Sequence, residues 1–523
     1  METNDLRLRF DKIKSDIFNS KKYWIIYLAA ILVIFFSLMD FNNYDHPKFE
    51  ILVFVLMSIL GIVFISFYKG HSDEKDFYKT VFIVIFVVGI VFSCLTPIFC
   101  THDEVEHFVR AEMTSDGVIF PQYDEKTSFN LSDIEFTGAY LTIQSTLDLA
   151  EKGKTPTYDY MDMVNSSIFN TKADTSPINT TPVLFFSAFA QNPFYGYIAP
   201  AIGIAIAKLL DMNAIWMLWL GRIFNSLMYA AIVSYAIKKT PILKMPLFVV
   251  ACIPAALSQA ASAGIDPLIN ALAILSIAYF LMLYKSPERS LDYKPIIKFS
   301  ILILILGTCK VTYFSLIFLI LFVPLKNFKE KKYYYYGFLS IIITLGVFAL
   351  WSKFYVDPGV HNSIRYFDPN AHDSYGQFKY MLTHKKDTLV ELLHVFTYLP
   401  NDLCCESYFS TKFSSLYLLL LGGVFFFYPH EKIHLKTKLG SLLVFLMLYF
   451  GRYFMFMVSW NQVGQLVPTG VQPRYFFPAF GLLPIILGFN HMNGDVSEVN
   501  QWILVLVLVF IVSRIFTIVT LAY

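Results

Sequence analysis

Apolar runs long enough to cross a bilayer recur from Tyr23 to Leu521, and that recurrence fixes the class of fold. One crossing takes about 17–25 mostly apolar residues. Inside hydrocarbon each segment must satisfy its own backbone, which a helix does. Composition agrees, with 56% hydrophobic and 15% charged residues, against about 25% charged in soluble domains. We therefore expect an all-α polytopic membrane protein. The first run lacks a small-residue cleavage site and reads as a span, not a leader. The net charge of +2 gives no argument for nucleic acid. Lys and Arg sit in short clusters between runs, as membrane topology requires.

That charge bias orders the chain. Residues 1–22 are basic and expected in the cytoplasm, followed by three spans within 23–100. Residues 101–216 then form a large first extracytoplasmic segment, expected to carry at most short helices. Its last part, 194–210, is read as a helix in or dipping into the outer leaflet. If it does not cross, the lysine clusters at 238–244, 285–294, 326–332 and 432–438 all fall inside. Central spans follow over 217–352, a second outer loop over 353–411, and C-terminal spans over 412–523, about thirteen in all. Residues 295–309 and 312–326 are short for spanning and are read as a bent hairpin. The cysteines lack a disulfide or zinc spacing; Cys94, Cys100, Cys252 and Cys309 read as buried small apolar residues. The adjacent pair Cys404 and Cys405 has no partner of metal-binding spacing.

Charge is costly at membrane depth and marks binding, transport or chemistry. The third run ends at Cys100, and His102, Asp103, Glu104, Glu106, His107 and Arg110 follow at once. Read as a helix, Asp103, Glu106, His107 and Arg110 share a face. Asp103 and His107, four residues apart, are also a candidate pair of metal ligands; the plainer reading is a solvated helix with internal ion pairs. Arg222, Asp266, Lys310 and Arg474 map to the same side of the membrane as Asp103. Arg offers phosphate a planar fork and Lys a point charge. Snorkelling to headgroups explains one such cation, but several beside carboxylates favour a site.

The order of motifs resembles the GT-C superfamily of membrane glycosyltransferases. It is most similar to a bacterial family of predicted membrane proteins carried as a domain of unknown function. The carrying residues are Asp103-Glu104 with His107-Phe108, Asn192-Pro-Phe-Tyr195-Gly-Tyr197, and Leu220-Gly-Arg222-Ile-Phe-Asn225. They continue with Pro254-Ala-Ala-Leu-Ser-Gln-Ala-Ala-Ser262 before Asp266, Lys310-Val-Thr-Tyr313, and Gln472-Pro-Arg474-Tyr475-Phe-Phe-Pro478. The likeness spans residues 80–490 and departs at Pro473, where Gly is expected. It implies a polyprenyl-phosphate sugar donor and a cell-envelope acceptor (polysaccharide, teichoic acid or lipid) at the outer face of the plasma membrane, with membrane lipids around it. Transfer then has Asp103 as base, or Glu104 in its place. Lys310 and Arg474, with Arg222, steady the leaving phosphate, and inversion follows from a single displacement. His107, Arg110, Asp266, Tyr475 and Tyr195 complete the candidate site. A divalent cation on Asp103 and His107 stays open, as do transporter, flippase, polymerase, ligase and non-catalytic partner readings.

Overall fold

The computed structural model describes residues 2–38, 47–70, 75–131, 134–152, 176–185, 189–190, 192–356, 373–399, 414–429, 432–489 and 496–522. Cys404 and Cys405 lie outside them. The chain begins with α1 (Glu2–Asn19), α2 (Lys21–Leu38), α3 (Pro47–Gly70) and α4 (Phe77–Leu95). Helix α4 stops before Pro97, which lacks the N–H to continue it. A turn then leads into α5 (Glu104–Ser115).

The expectation of an all-α chain is corrected here. Strands β1 (Tyr123–Leu131), β2 (Ile134–Ile143) and β3 (Pro182–Phe185) form an antiparallel sheet in the order β1-β2-β3, and α6 (Gln144–Lys152) leaves its middle strand. Register shifts between Asp124 and Ser128, so the alternation that marks a strand is broken there. The chain is still mostly helical.

A short 3-10 turn at Phe194–Tyr197 opens α7 (Ile198–Leu209). At 12 residues, α7 is about 18 Å long, against about 30 Å of hydrocarbon. It packs on α8 (Ala214–Lys239). A Cβ on Gly203 would sit 2.3 Å from the Leu220 carbonyl oxygen, so only glycine permits this approach. The next apolar run is broken into α9 (Lys244–Ala251) and α10 (Pro254–Ala260), and Pro254 opens the second half where a missing N–H costs nothing.

Helix α11 (Asp266–Tyr284) follows, then α12 (Tyr293–Cys309). From Val311 to Phe322 the chain is a 3-10 helix of 12 residues. The bent hairpin expected at 295–326 is therefore two elements joined at Lys310 and packed together. The remaining long helices are α13 (Lys331–Trp351), α14 (Ser414–Phe427), α15 (Leu435–Ser459) and α16 (Val496–Ala522). Between the last two, the expected span at 474–490 is split into Pro473–Phe476, Phe477–Phe480 and Leu483–Leu487. Among the described residues, eight helices are long and apolar enough to cross a membrane. The other expected spans are these shorter or broken segments. One buried apolar core runs through the bundle.

Candidate functional site

Two left-handed residues shape the turn between α4 and α5: Phe99 at φ 53° and Asp103 at φ 58°. Asp tolerates this region, whereas for a bulky residue such as Phe it is strained. Strain of this kind gathers at functional sites. Its effect is to send neighbouring carboxylates apart. Asp103 caps α5 from outside the helix, and Glu104 begins it.

Glu104 points inward, to Arg222 on α8, and both side chains are fully buried. Arg222 Nε and Nη2 donate to the two carboxylate oxygens at 2.8 and 2.6 Å. Its other donors reach the carbonyls of Ser93, Thr96 and Pro97 at 3.3, 2.6 and 2.9 Å. An arginine has five N–H donors, and here all five are spent on protein. Glu104 also accepts from the Ala263 backbone N–H at 3.1 Å. Asn225, one turn along α8, donates to the carbonyls of Ser262 and Gly264. Arg222 therefore has no donor to offer a phosphate, and Glu104 is not presented as a base. Together they fix the α4–α5 turn and the 261–265 turn against α8.

Those two turns deliver Asp103 and Asp266 to a second cluster. Arg474 donates to Asp103 through Nη2 and to the His102 carbonyl through Nη1 at 2.9 Å. Its Nε lies 3.4 Å from Asp266 Oδ2, an ion-pair contact without hydrogen-bond alignment. Lys310 Nζ is 3.1 Å from Asp266 Oδ1, and Gln259 Nε2 donates to Oδ2 at 3.0 Å. Pro473 causes no disturbance, because it starts the 3-10 turn that carries Arg474. The Tyr475 ring is the platform of the cluster. Lys310 lies 4.0 Å from its centroid, Arg452 4.6 Å and Arg474 5.2 Å, all in cation–π range. The Tyr313 hydroxyl holds the platform through the Tyr475 carbonyl at 2.7 Å.

Arg452, from the middle of α15, escaped the sequence reading. The signal was a lone arginine in an otherwise apolar span, the pattern already weighted at Arg222. It is 5% exposed and lies against Tyr313, and among the described residues its Nε and Nη2 have no hydrogen-bond partner of good geometry. Three cations (Lys310, Arg452, Arg474) thus gather on the Tyr475 ring, and two of them, Lys310 and Arg474, pair with the carboxylates Asp266 and Asp103. Burial pushes the Asp103 carboxyl up, but Arg474, with His107 and His102, brings Asp103 below its usual range. Burial takes Lys310 down to about 7, with Asp266 opposing and Arg452 and Arg474 assisting. Burial and Arg474 bring His102 to about 4, so it carries no charge at neutral pH.

The other candidates make their hydrogen bonds outside this cluster, although His107 lies close enough to feel the charges of Asp103 and Asp266. His107 is buried, shares a 2.7 Å hydrogen bond with the Tyr197 hydroxyl and stacks on Phe189 at 4.1 Å. Burial holds it at about 4. Arg110 does not face Asp103, contrary to the shared helical face expected. Asp103 lies outside the helix in the left-handed region, and Arg110 donates to the carbonyls of Asn192, Val118 and Ile119 and to the Thr114 hydroxyl. Tyr195 hydrogen-bonds Thr308 and so ties the 194–197 turn to the end of α12, two residues before Lys310. Among the described residues no group of three or more His, Cys, Asp or Glu side chains is placed to hold a metal ion; Asp103 is committed to Arg474 and His107 to Tyr197.

A family model described as "Predicted membrane protein (DUF2142)" matches residues 86–483, well over half of the chain. The chain belongs to that family. The matched stretch contains both clusters, from Glu104 and Asp103 near its start to Arg474 and Tyr475 near its end. No curated protein and no solved structure matches the chain significantly. Membership in this family therefore describes a membrane protein without assigning a reaction.

Proposed function

We propose that this member of the family is a glycosyltransferase of GT-C type, with about thirteen membrane segments, a cytoplasmic N-terminus and its site on the outer face of the plasma membrane. It moves a sugar from a polyprenyl-phosphate donor to a cell-envelope polysaccharide, teichoic acid or lipid. The observation that supports the reading is the cluster of buried positive charge on the Tyr475 ring next to the Asp103–Arg474 pair, above all Arg452, whose Nε and Nη2 find no partner of good geometry among the described residues. A buried donor without a partner costs about 1–3 kcal/mol, more when charged, and a phosphate oxygen removes that cost.

The chemistry follows from the placement. An acceptor hydroxyl gives its proton to Asp103 as its oxygen bonds to the sugar carbon. The bond from that carbon to the phosphate oxygen breaks on the opposite side, so configuration inverts. Charge grows on the leaving phosphate, where Lys310, Arg452 and Arg474 are fixed donors of the kind that stabilise a transition state. Arg474 serves both ends. In the free protein it depresses Asp103; a bound phosphate competes for its guanidinium and restores basicity to the carboxylate.

The test is transfer of radiolabelled sugar from a panel of polyprenyl-phosphate sugars in nanodiscs with candidate acceptors. Wild type should turn over, while Asp103→Asn binds donor without transfer. If neither transfers and wild type instead carries labelled lipid across proteoliposomes, transport replaces transfer.

A further inference from the structure

Helix α5 carries a second polar group at its other end, unconnected with the cation cluster. Glu112 is 1% exposed, yet it borders a cavity of about 500 Å³. One oxygen meets Lys208 of α7 at 2.7 Å, and the other accepts from the Thr142 hydroxyl at 2.6 Å. Lys208 also pairs with Asp116 at 2.7 Å, and the Asp116 side chain is half exposed. Gln122 and Thr180 add an amide and a hydroxyl to the lining. The lining also holds open apolar side chains: Phe120 is 64% exposed and Leu141 59%.

This lining is built, not incidental. Arg110 donates to the carbonyls of Val118 and Ile119, and Phe120 packs edge-on against Tyr355 at 5.6 Å. The charged arginine that sequence reading assigned to the first site thus fixes the segment presenting Phe120.

The composition selects a ligand class. Glu112 and Thr142 are closed on each other and on Lys208 and hold the wall, while the half-exposed Asp116 carboxylate, the Gln122 amide and the Thr180 hydroxyl can accept from and donate to ligand hydroxyls. The exposed Phe120 ring adds a flat apolar face, the mix by which pockets of about 300–1,000 Å³ orient a small ligand. Lys208 is matched by both carboxylates, so the lining presents no unpaired cation, the opposite of the Tyr475 platform. We propose that this cavity binds uncharged saccharide, as a subsite for non-reacting units of the glycan acceptor. In this form it rests on the transferase reading. Asp103 and Asp116 stand at opposite ends of α5, about 20 Å apart at 1.5 Å per residue. Contacts that far from the reacting centre are a means of positioning it.

The experiment is binding of chitotetraose, cellotetraose and maltotetraose, with tetragalacturonic acid as acidic counterpart, to the purified full chain by saturation-transfer NMR and calorimetry. At least one neutral tetramer should bind and the acidic one should not. Phe120→Ala and Asp116→Asn, both at exposed side chains, should each weaken binding about tenfold or more, equivalent to about 1.4 kcal/mol. Lys310→Ala should leave it unchanged. The subsite is refuted if no neutral tetramer binds at millimolar concentration, if the acidic tetramer binds equally, or if binding survives both cavity variants. Saccharide binding through Phe120 in a chain without transferase activity would keep the subsite and remove the transferase reading.

Discussion

Asp103 and Glu104 are neighbours in the chain and opposites in the fold. Glu104 meets an arginine whose every donor is matched, in a place with no exposure. Asp103 meets an arginine shared with Asp266 and stacked near an aromatic ring crowded by two other cations, with a third of its own side chain exposed. The difference separates architecture from site. A buried charge whose hydrogen bonds close on protein holds elements together. A buried charge with donors left over waits for something else.

The comparison breaks most forcefully at the closed pair. Arg222→Met leaves Glu104 buried and unpaired, and removing one partner of a buried ion pair costs about 3–5 kcal/mol. The variant should lose monodisperse protein on mild heating, measured by fluorescence-detected gel filtration. Stability at the wild-type level would show that the pair is not structural. The open cluster should respond in the opposite sense. Arg452→Met removes two donors without a well-aligned partner among the described residues, each costing about 1–3 kcal/mol, against the loss of its cation–π contacts. It should hold or raise thermal stability while weakening binding of a polyprenyl-phosphate sugar; a variant that melts early and binds normally would make Arg452 another structural arginine. A smaller effect sharpens the contrast through pH. The ammonium of Lys310, facing Asp266, Arg452, Arg474 and the Tyr475 ring, titrates at about 7, pulled there by burial. It is charged below that value, and a phosphodiester keeps its charge throughout. Donor binding should therefore fall as pH rises from 6 to 8, and Lys310→Arg should flatten the curve. A flat wild-type profile would count against Lys310 as a phosphate contact.

The lengths of the apolar runs and the placing of charge at their ends were legible, because both follow from bilayer thickness and desolvation. Spacing alone could not separate Asp103 from Glu104. A helical wheel starting at Asp103 puts it with Arg110, but its left-handed backbone removes it from the wheel. Arg222, inside a span, and Arg474, at the start of one, looked alike as cations on one side of the membrane; the carbonyls of Ser93, Thr96 and Pro97, brought by tertiary folding, tell them apart. Arg452 was hidden by the apolar run around it. The sheet was missed because its longest register is interrupted at Asp124–Ser128 and its third strand has four residues.

Lys310 is hinged to a 3-10 helix of 12 residues, where runs longer than three or four residues are uncommon and often mark a hinge. The same residues are about 24 Å long as a 3-10 helix and about 18 Å as an α-helix. The segment thus stores about 6 Å of slack, together with an altered rotation of every side chain along it. That extended winding carries the chain from Lys310 to Val323 in 12 residues, a reach that the same residues wound as an α-helix would not make.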